Sequence, residues 1–172
     1  MTLVEVVVSL AIVVLVVFGM TSVMVHSSRA SDRTTSQSDI DSGVAIADER
    51  VEGRLIEARS VTIDDNGLGL TYKYPAKNLD GTYSSNPKSL ESTSRRLYVS
   101  DDNKLYCSDE PDRPILTDIP DIDPETQSAM RVFQVGINSR EVQVRLVSQR
   151  TLAGGCQPYS AITIRVRPRN MQ

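Results

Sequence analysis

The sequence has few of the side chains on which most catalytic and metal sites depend. Its 172 residues include one histidine, His26, two cysteines and no tryptophan. A single histidine nearly excludes histidine-based metal sites and catalytic triads. Two cysteines, Cys107 and Cys156, allow at most one disulfide and no cysteine-built zinc or iron–sulfur centre. These counts disfavour catalytic and metal sites, so the function must be inferred mainly from the distribution of apolar and charged residues.

Positive charge is also scarce. The chain carries 19 Lys and Arg against 22 Asp and Glu, a net charge of −3, so bulk charge does not favour nucleic-acid binding. We considered Arg165, Arg167 and Arg169 as a DNA-binding cluster, but no aromatic residues are interleaved with them. No specific nucleic-acid partner is therefore predicted.

The first 25 residues contain no base, no proline and only one acid. A bilayer-spanning helix needs roughly 20 apolar residues, and the segment from Leu3 to Val25 meets this requirement. The first bases, Arg29 and Arg33, follow the apolar run, which by the positive-inside rule alone would place the body of the protein in the cytoplasm. The two cysteines favour an oxidising compartment instead. A basic leader that once preceded Met1 and was removed would resolve this conflict, and we expect Met1 to be a processed end.

Glu5 is the one acid in this segment. A carboxylate deep in a bilayer costs roughly 2.5–3.5 kcal/mol or more, so it is by default a functional hypothesis that needs a named partner. The nearest positive group is the α-amino group of Met1, and between adjacent chains this amine can meet the carboxylate of a neighbour. The alternative is a glutamate close enough to the membrane surface to stay hydrated.

The first ten residues, Met1-Thr2-Leu3-Val4-Glu5-Val6-Val7-Val8-Ser9-Leu10, resemble the mature N-terminus of type IV pilins and pseudopilins. In that family a leader peptidase cuts after a glycine and methylates the new first residue, and an acid in fifth place serves assembly. The resemblance thus implies that Met1 is the processed and methylated residue and that Glu5 is the assembly residue. Methionine as the first residue resembles the members of the type IVb branch. Ser22 stands where many members have a helix-kinking proline.

The resemblance implies a structural subunit of a type IV pilus-like extracellular filament, not an enzyme, with no cofactor. Before assembly, the subunit would be a single-pass protein of the inner (cytoplasmic) membrane. It would then form a helical homo-oligomer at the cell surface. Its implied partners are the leader peptidase and the pilus assembly machinery, and its implied roles are adhesion, motility or secretion. The residues that would pack in the filament core are Leu3, Val6, Val7, Leu10, Val13, Val14 and Val17. The alternatives are a minor pilin or type II secretion pseudopilin and, more distantly, a single-span membrane-anchored binding domain.

The pattern along the chain predicts an α+β protein, with a long N-terminal helix packed on a C-terminal antiparallel β-sheet head, the pilin fold. Residues 1–28 are the apolar transmembrane or filament-core half of the helix, and residues 29–60 are its amphipathic continuation, with weakness around residues 19–38. A core-facing stripe recurs at steps of three and four residues: Ile40, Val44, Ala47, Val51, Leu55 and Ala58. The head spans 61–172.

Within the head, Asp64-Asp65-Asn66-Gly67 is expected to end the helical region, and residues 61–95 form a loop with one short strand near Leu70–Tyr74. Residues 96–172 alternate as antiparallel strands. The expected strands are Arg96–Ser100, Lys104–Ser108, Arg131–Ile137, Glu141–Ser148 and Ser160–Arg167, with turns at residues 101–103 and 138–140. A single meander of four or five strands is predicted.

The head also carries candidate sites. Cys107 and Cys156 resemble the C-terminal disulfide of pilins, which would bound the region 107–156; the alternative is two unlinked thiols. Residues 101–130 hold nine acids and two bases, whereas residues 131–172 hold seven arginines and one acid. We considered contacts between subunits through Asp118, Asp121, Asp123, Arg165 and Arg167, against pairing within one chain. Asp118, Asp121, Asp123 and Glu125 form a weak calcium candidate that lacks EF-hand spacing, so no metal is predicted.

Overall fold

The computed structural model describes residues 2–78, 80–84, 86, 89–136, 141–153 and 155–168. The order of elements is α1 (Leu3–Ile56), β1 (Ser60–Ile63), β2 (Gly69–Lys73), β3 (Arg95–Val99), β4 (Leu105–Cys107), β5 (Phe133–Val135), β6 (Val142–Gln149) and β7 (Tyr159–Val166). The α+β class is therefore confirmed. The chain divides into two compact units, Met1–Ser38 and Asp39–Gln172.

The first unit consists of the apolar part of α1. Residues 19–38, where the sequence predicted weakness, are helical. Hydroxyl groups in this part are satisfied by the helix itself: Ser9 Oγ donates to the Glu5 carbonyl at 2.7 Å, and Thr21 Oγ1 donates to the Val17 carbonyl at 2.8 Å. Such bonds to the carbonyl four residues earlier let polar side chains sit in an apolar run without an unmet hydrogen bond.

The second unit begins with the amphipathic part of α1. The predicted stripe is confirmed, because Ile40, Val44, Ala47, Val51 and Leu55 are buried in the helix, and Ala58 is buried just beyond it. The helix ends at Ile56 rather than near Ser60. Residues 60–63 form β1 instead, so the predicted loop 61–95 contains two paired strands.

The strands form two antiparallel sheets, not the single meander that the sequence predicted. One has the order β1-β2-β3-β4 and the other the order β5-β6-β7. In the larger sheet Leu70 lies opposite Leu97, and Leu97 lies opposite Cys107. In the smaller sheet Val144 lies between Phe133 and Ile164. The turn expected at residues 138–140 lies outside the described residues.

Gly67 joins the two sheets. It lies in the β1–β2 turn at a φ of 70°, and its carbonyl accepts the Phe133 amide at 2.9 Å. A Cβ at this position would approach the Phe133 carbonyl oxygen to 2.9 Å, so glycine is needed for both the backbone conformation and the close approach. The turn Asp64-Asp65-Asn66-Gly67 thus connects two strands and does not end the helix. The buried core takes residues from the helix stripe and from both sheets.

Candidate functional site

The N-terminal part of α1 presents an apolar surface with nothing packed on it. The seven residues predicted for a filament core are between 48% and 81% exposed: Leu3, Val6, Val7, Leu10, Val13, Val14 and Val17. Other residues on the remaining faces of the helix, among them Val4, Val8 and Leu15, are also exposed. The helix is long and apolar enough to cross a membrane, judged by length and composition. An apolar surface of this extent needs lipid or other apolar helices around it.

Glu5 lies in the first turn of this helix and has a partner in its own chain. Its Oε2 accepts the Thr2 backbone amide at 2.7 Å, and the Glu5 amide approaches Thr2 Oγ1 at 3.4 Å. This reciprocal arrangement is a capping box, which satisfies amides that a helix start leaves without an acceptor. The Thr-x-x-Glu spacing that signals this cap is present in the sequence at Thr2 and Glu5. Met1, the predicted partner of Glu5, lies outside the described residues.

The capping box lowers the electrostatic cost of placing the Glu5 carboxylate at the start of the apolar run. The carboxylate lies at the positive end of the helix dipole and accepts a hydrogen bond from the Thr2 backbone amide, and both interactions are favourable. Part of the cost of a carboxylate at the start of the apolar run is therefore offset within a single chain. A carboxylate has about four lone-pair positions, so the bond from Thr2 leaves room for a further cationic donor.

The predicted bridge between Cys107 and Cys156 is not formed, since both cysteines are free. Cys107 is buried in β4, where its Sγ contacts Arg54 Nη1 at 2.6 Å and Tyr72 Oη at 3.7 Å. Cys156 lies in the loop before β7, in the other sheet, and its carbonyl accepts the Leu152 amide. Cys107 thus lies in the four-stranded sheet, where it contacts α1 and β2, whereas Cys156 lies in the loop that connects β6 and β7 of the other sheet. Burial and the contact with Cys107 raise the pKa of the Tyr72 hydroxyl, which keeps it protonated.

The acidic segment of the head forms ion pairs with arginines of the same chain. Arg145 on β6 binds both carboxylate oxygens of Asp123 and lies 2.6 Å from Glu125 Oε2. Arg150 Nη2 lies 3.2 Å from Asp118 Oδ2. Asp123 is only 4% exposed. The Arg145 guanidinium is the main reason that the pKa of Asp123 is lowered.

These pairs bear on the two alternatives that the sequence left open for the acidic residues. Asp118 and Asp123 have partners within the chain, as does Arg167, whose Nη2 lies 2.7 Å from Glu141 Oε1; the structure therefore favours internal pairing for these residues over contacts between subunits. Asp121 and Arg165 are exposed. For the weak calcium candidate, guanidinium groups bind both carboxylate oxygens of Asp123 and one oxygen each of Asp118 and Glu125, and the described ranges contain no cluster of three or more metal-ligating side chains.

Comparisons with family models, with curated proteins and with solved structures each found no match to this chain. The resemblance to type IV pilins therefore rests on the residues at the N-terminus and is not tested by these comparisons. The structure contributes the long exposed apolar helix, the capped carboxylate at its start and the α+β head. These features supply a surface for helix association and a fixed charge at one end of it.

Proposed function

We propose that this chain is a structural subunit of a type IV pilus-like filament and that it polymerises through the N-terminal part of α1. The observation that carries the proposal is the exposed apolar surface of residues 3–25 with Glu5 fixed at its start. Apolar helices packed side by side would cover that surface. Before assembly, the same surface would lie in a membrane as a single span.

Glu5 sets the register between neighbouring subunits in this proposal. The N-terminal amine of one subunit would approach the Glu5 carboxylate of the next. In an apolar environment that attraction is much stronger than in water, and it is lost if the helices slip along each other. The capping box holds the carboxylate near the helix start, where an incoming amine can reach it.

The proposal is tested with Glu5→Gln and Glu5→Ala in cells that produce the full chain. Both variants should abolish or strongly reduce filaments sheared from the cell surface, as counted by electron microscopy. Glu49→Gln is the matched control, because Glu49 is an exposed acid of the same helix, in its amphipathic part. Immunoblots of the membrane fraction should show equal subunit amounts for all variants. Normal filaments from both Glu5 variants would contradict the proposal.

A single-span anchored binding domain is the second candidate, and the polar cleft on the head, described below, favours it. The mass of the N-terminal peptide of the native protein separates the two. A methylated Met1 supports a processed filament subunit, whereas retained upstream residues support an anchor. The number of filaments per cell would then distinguish a major subunit from a minor pilin or a pseudopilin.

A further inference from the structure

We propose that the outer face of the three-stranded sheet carries a binding cleft for an acidic saccharide, a function separate from assembly through α1. The cleft has a volume of about 440 Å³, within the usual range for ligand sites. The segment that follows Asp123 forms one wall with Thr126, Ser128 and Arg131, and the sheet contributes Gln134, Gln143 and Thr163.

The base of the cleft is rigid because Arg145 makes several bonds at once. Its guanidinium binds both oxygens of Asp123, lies 2.6 Å from Glu125 Oε2 and donates to Thr163 Oγ1 at 3.1 Å. Asp123 also accepts the Glu125 backbone amide at 2.9 Å. The buried acid and this arginine therefore neutralise each other, and the wall is held against β6. A ligand meets a fixed surface, which reduces the ordering cost of binding.

The groups left for a ligand are amides, hydroxyls and guanidinium groups. Gln134 on β5 lies opposite Gln143 on β6, and Gln143 lies opposite Arg165 on β7. Directly opposite residues share a face of the sheet, so Gln134 and Gln143 lie side by side in the cleft, and Arg165 continues their row beyond the residues that line it. In the part of the chain that the structure describes, neither Arg131 nor Arg165 lies within ion-pair distance of a carboxylate.

The chemistry of the residues that line the cleft favours a sugar acid. Glutamine amides and threonine or serine hydroxyls both donate and accept, as sugar hydroxyls require. A free guanidinium binds a carboxylate through two parallel hydrogen bonds. Nucleic acid is less favoured because none of the described residues lining the cleft is aromatic, so bases have no stacking surface, and because the chain is net acidic.

The test is isothermal titration of the full chain in detergent micelles with two acidic saccharides, oligogalacturonate and sialyllactose. Methyl-esterified oligogalacturonate and lactose are the matched neutral probes. Arg131→Gln should weaken binding of the acidic probes at least about tenfold, the value of a charge-assisted hydrogen bond. Arg113→Gln is the control, since Arg113 is an exposed arginine that does not line the cleft, and it should leave binding unchanged.

Four results would each overturn the cleft proposal. They are no binding of either acidic saccharide, equal binding of the neutral probes, an equal loss with Arg113→Gln, and binding of oligothymidine as tight as that of the saccharides. Glu5→Gln serves as a cross-check, because it should abolish filaments while leaving saccharide affinity unchanged. Failure of the cleft and failure of the filament proposal are therefore distinguishable.

Discussion

At the scale of single residues, two carboxylates, those of Glu5 and Asp123, lie in apolar or buried surroundings and are stabilised there by hydrogen bonds and charge. Glu5 is stabilised by the capping box and the helix dipole. Asp123 is buried in the head and is stabilised by Arg145 and by the Glu125 amide. A buried carboxylate without such partners would shift its pKa or destabilise the fold. The Asp123–Arg145 pair should therefore matter to the stability of the head.

We expect the free energy of unfolding to fall as the pH is lowered below about 4. The pKa of Asp123 is lowered in the folded head, mainly by Arg145, whereas the unfolded chain takes up the proton near the ordinary value of about 3.9. The stabilisation is therefore complete above that value and is lost as the pH falls through the folded-state pKa. Urea unfolding of the full chain in detergent micelles at a series of pH values measures this dependence.

Asp123→Asn assigns the effect to this residue. At pH 7 the variant should lose about 2 kcal/mol of stability, since a charge-assisted hydrogen-bond pair is removed and Arg145 keeps only Glu125 as a carboxylate partner. Asp118→Asn is the control, because the Asp118–Arg150 pair is half exposed and should contribute less than about 1 kcal/mol. Asparagine also tolerates the positive φ of 59° at position 118. Equal losses of unfolding free energy in the two variants would show that the buried Asp123–Arg145 pair contributes no more to stability than the half-exposed Asp118–Arg150 pair.

At the scale of secondary structure, the amphipathic part of α1 is held by its buried stripe. Leu55 is fully buried, whereas Ile46 on the same helix is 51% exposed. We expect Leu55→Ala to cost about 2–5 kcal/mol, because it leaves a cavity in the core, and Ile46→Ala to change stability by less than about 0.5 kcal/mol. Urea unfolding followed by circular dichroism compares the two. Similar losses would contradict the packing of this stripe.

Local patterns predicted the elements whose signals are local. The stripe from Ile40 to Leu55 recurs with helical spacing, and the alternation in β6 and β7 marks strands. β1 was missed because it is four residues long and follows the helix closely, and because the Asp64–Gly67 turn can end a helix as well as connect strands. The division into two sheets depends on contacts between distant residues, such as Gly67 with Phe133. Periodicity within a segment contains no information about such contacts.

The candidate site, like the fold, could be predicted only where its signal is local in the sequence. Glu5 stands out in the sequence because it is the one acid in an apolar run, and its Thr-x-x-Glu cap could also have been identified there. The sequence did not show which residues surround Cys107 and Asp123, because composition gives the reactive side chains and not their neighbours in the fold. Cys107 lies beside Arg54 and Tyr72, and Asp123 lies beside Arg145. These partners come from elements that are distant along the chain.

At the scale of the whole molecule, acidic and basic residues are concentrated in different parts of the sequence, and the fold brings some of them together as ion pairs. Residues 101–130 have a net charge of −7, from nine acids and two bases, and residues 131–172 have +6, from seven arginines and one acid. Arg145 and Arg150 from the basic part pair with Asp123 and Asp118 from the acidic part. The head thus pairs part of its charge internally, and the exposed apolar surface of residues 3–25 is the surface through which we propose that chains associate.

We therefore expect assembly to depend on the first unit and not on the head. A variant consisting of residues 39–172 should stay monomeric in water, keep its helix and sheet signals by circular dichroism and unfold cooperatively, because it retains the buried core. The full chain should sediment unless detergent covers its helix. The full chain with Val7→Lys and Val14→Lys is the control for length, since two cations make the same helix costly to bury in an apolar environment; it should associate far less. If the 39–172 variant formed oligomers as readily as the full chain in sedimentation velocity, the association surface would lie on the head and not on α1.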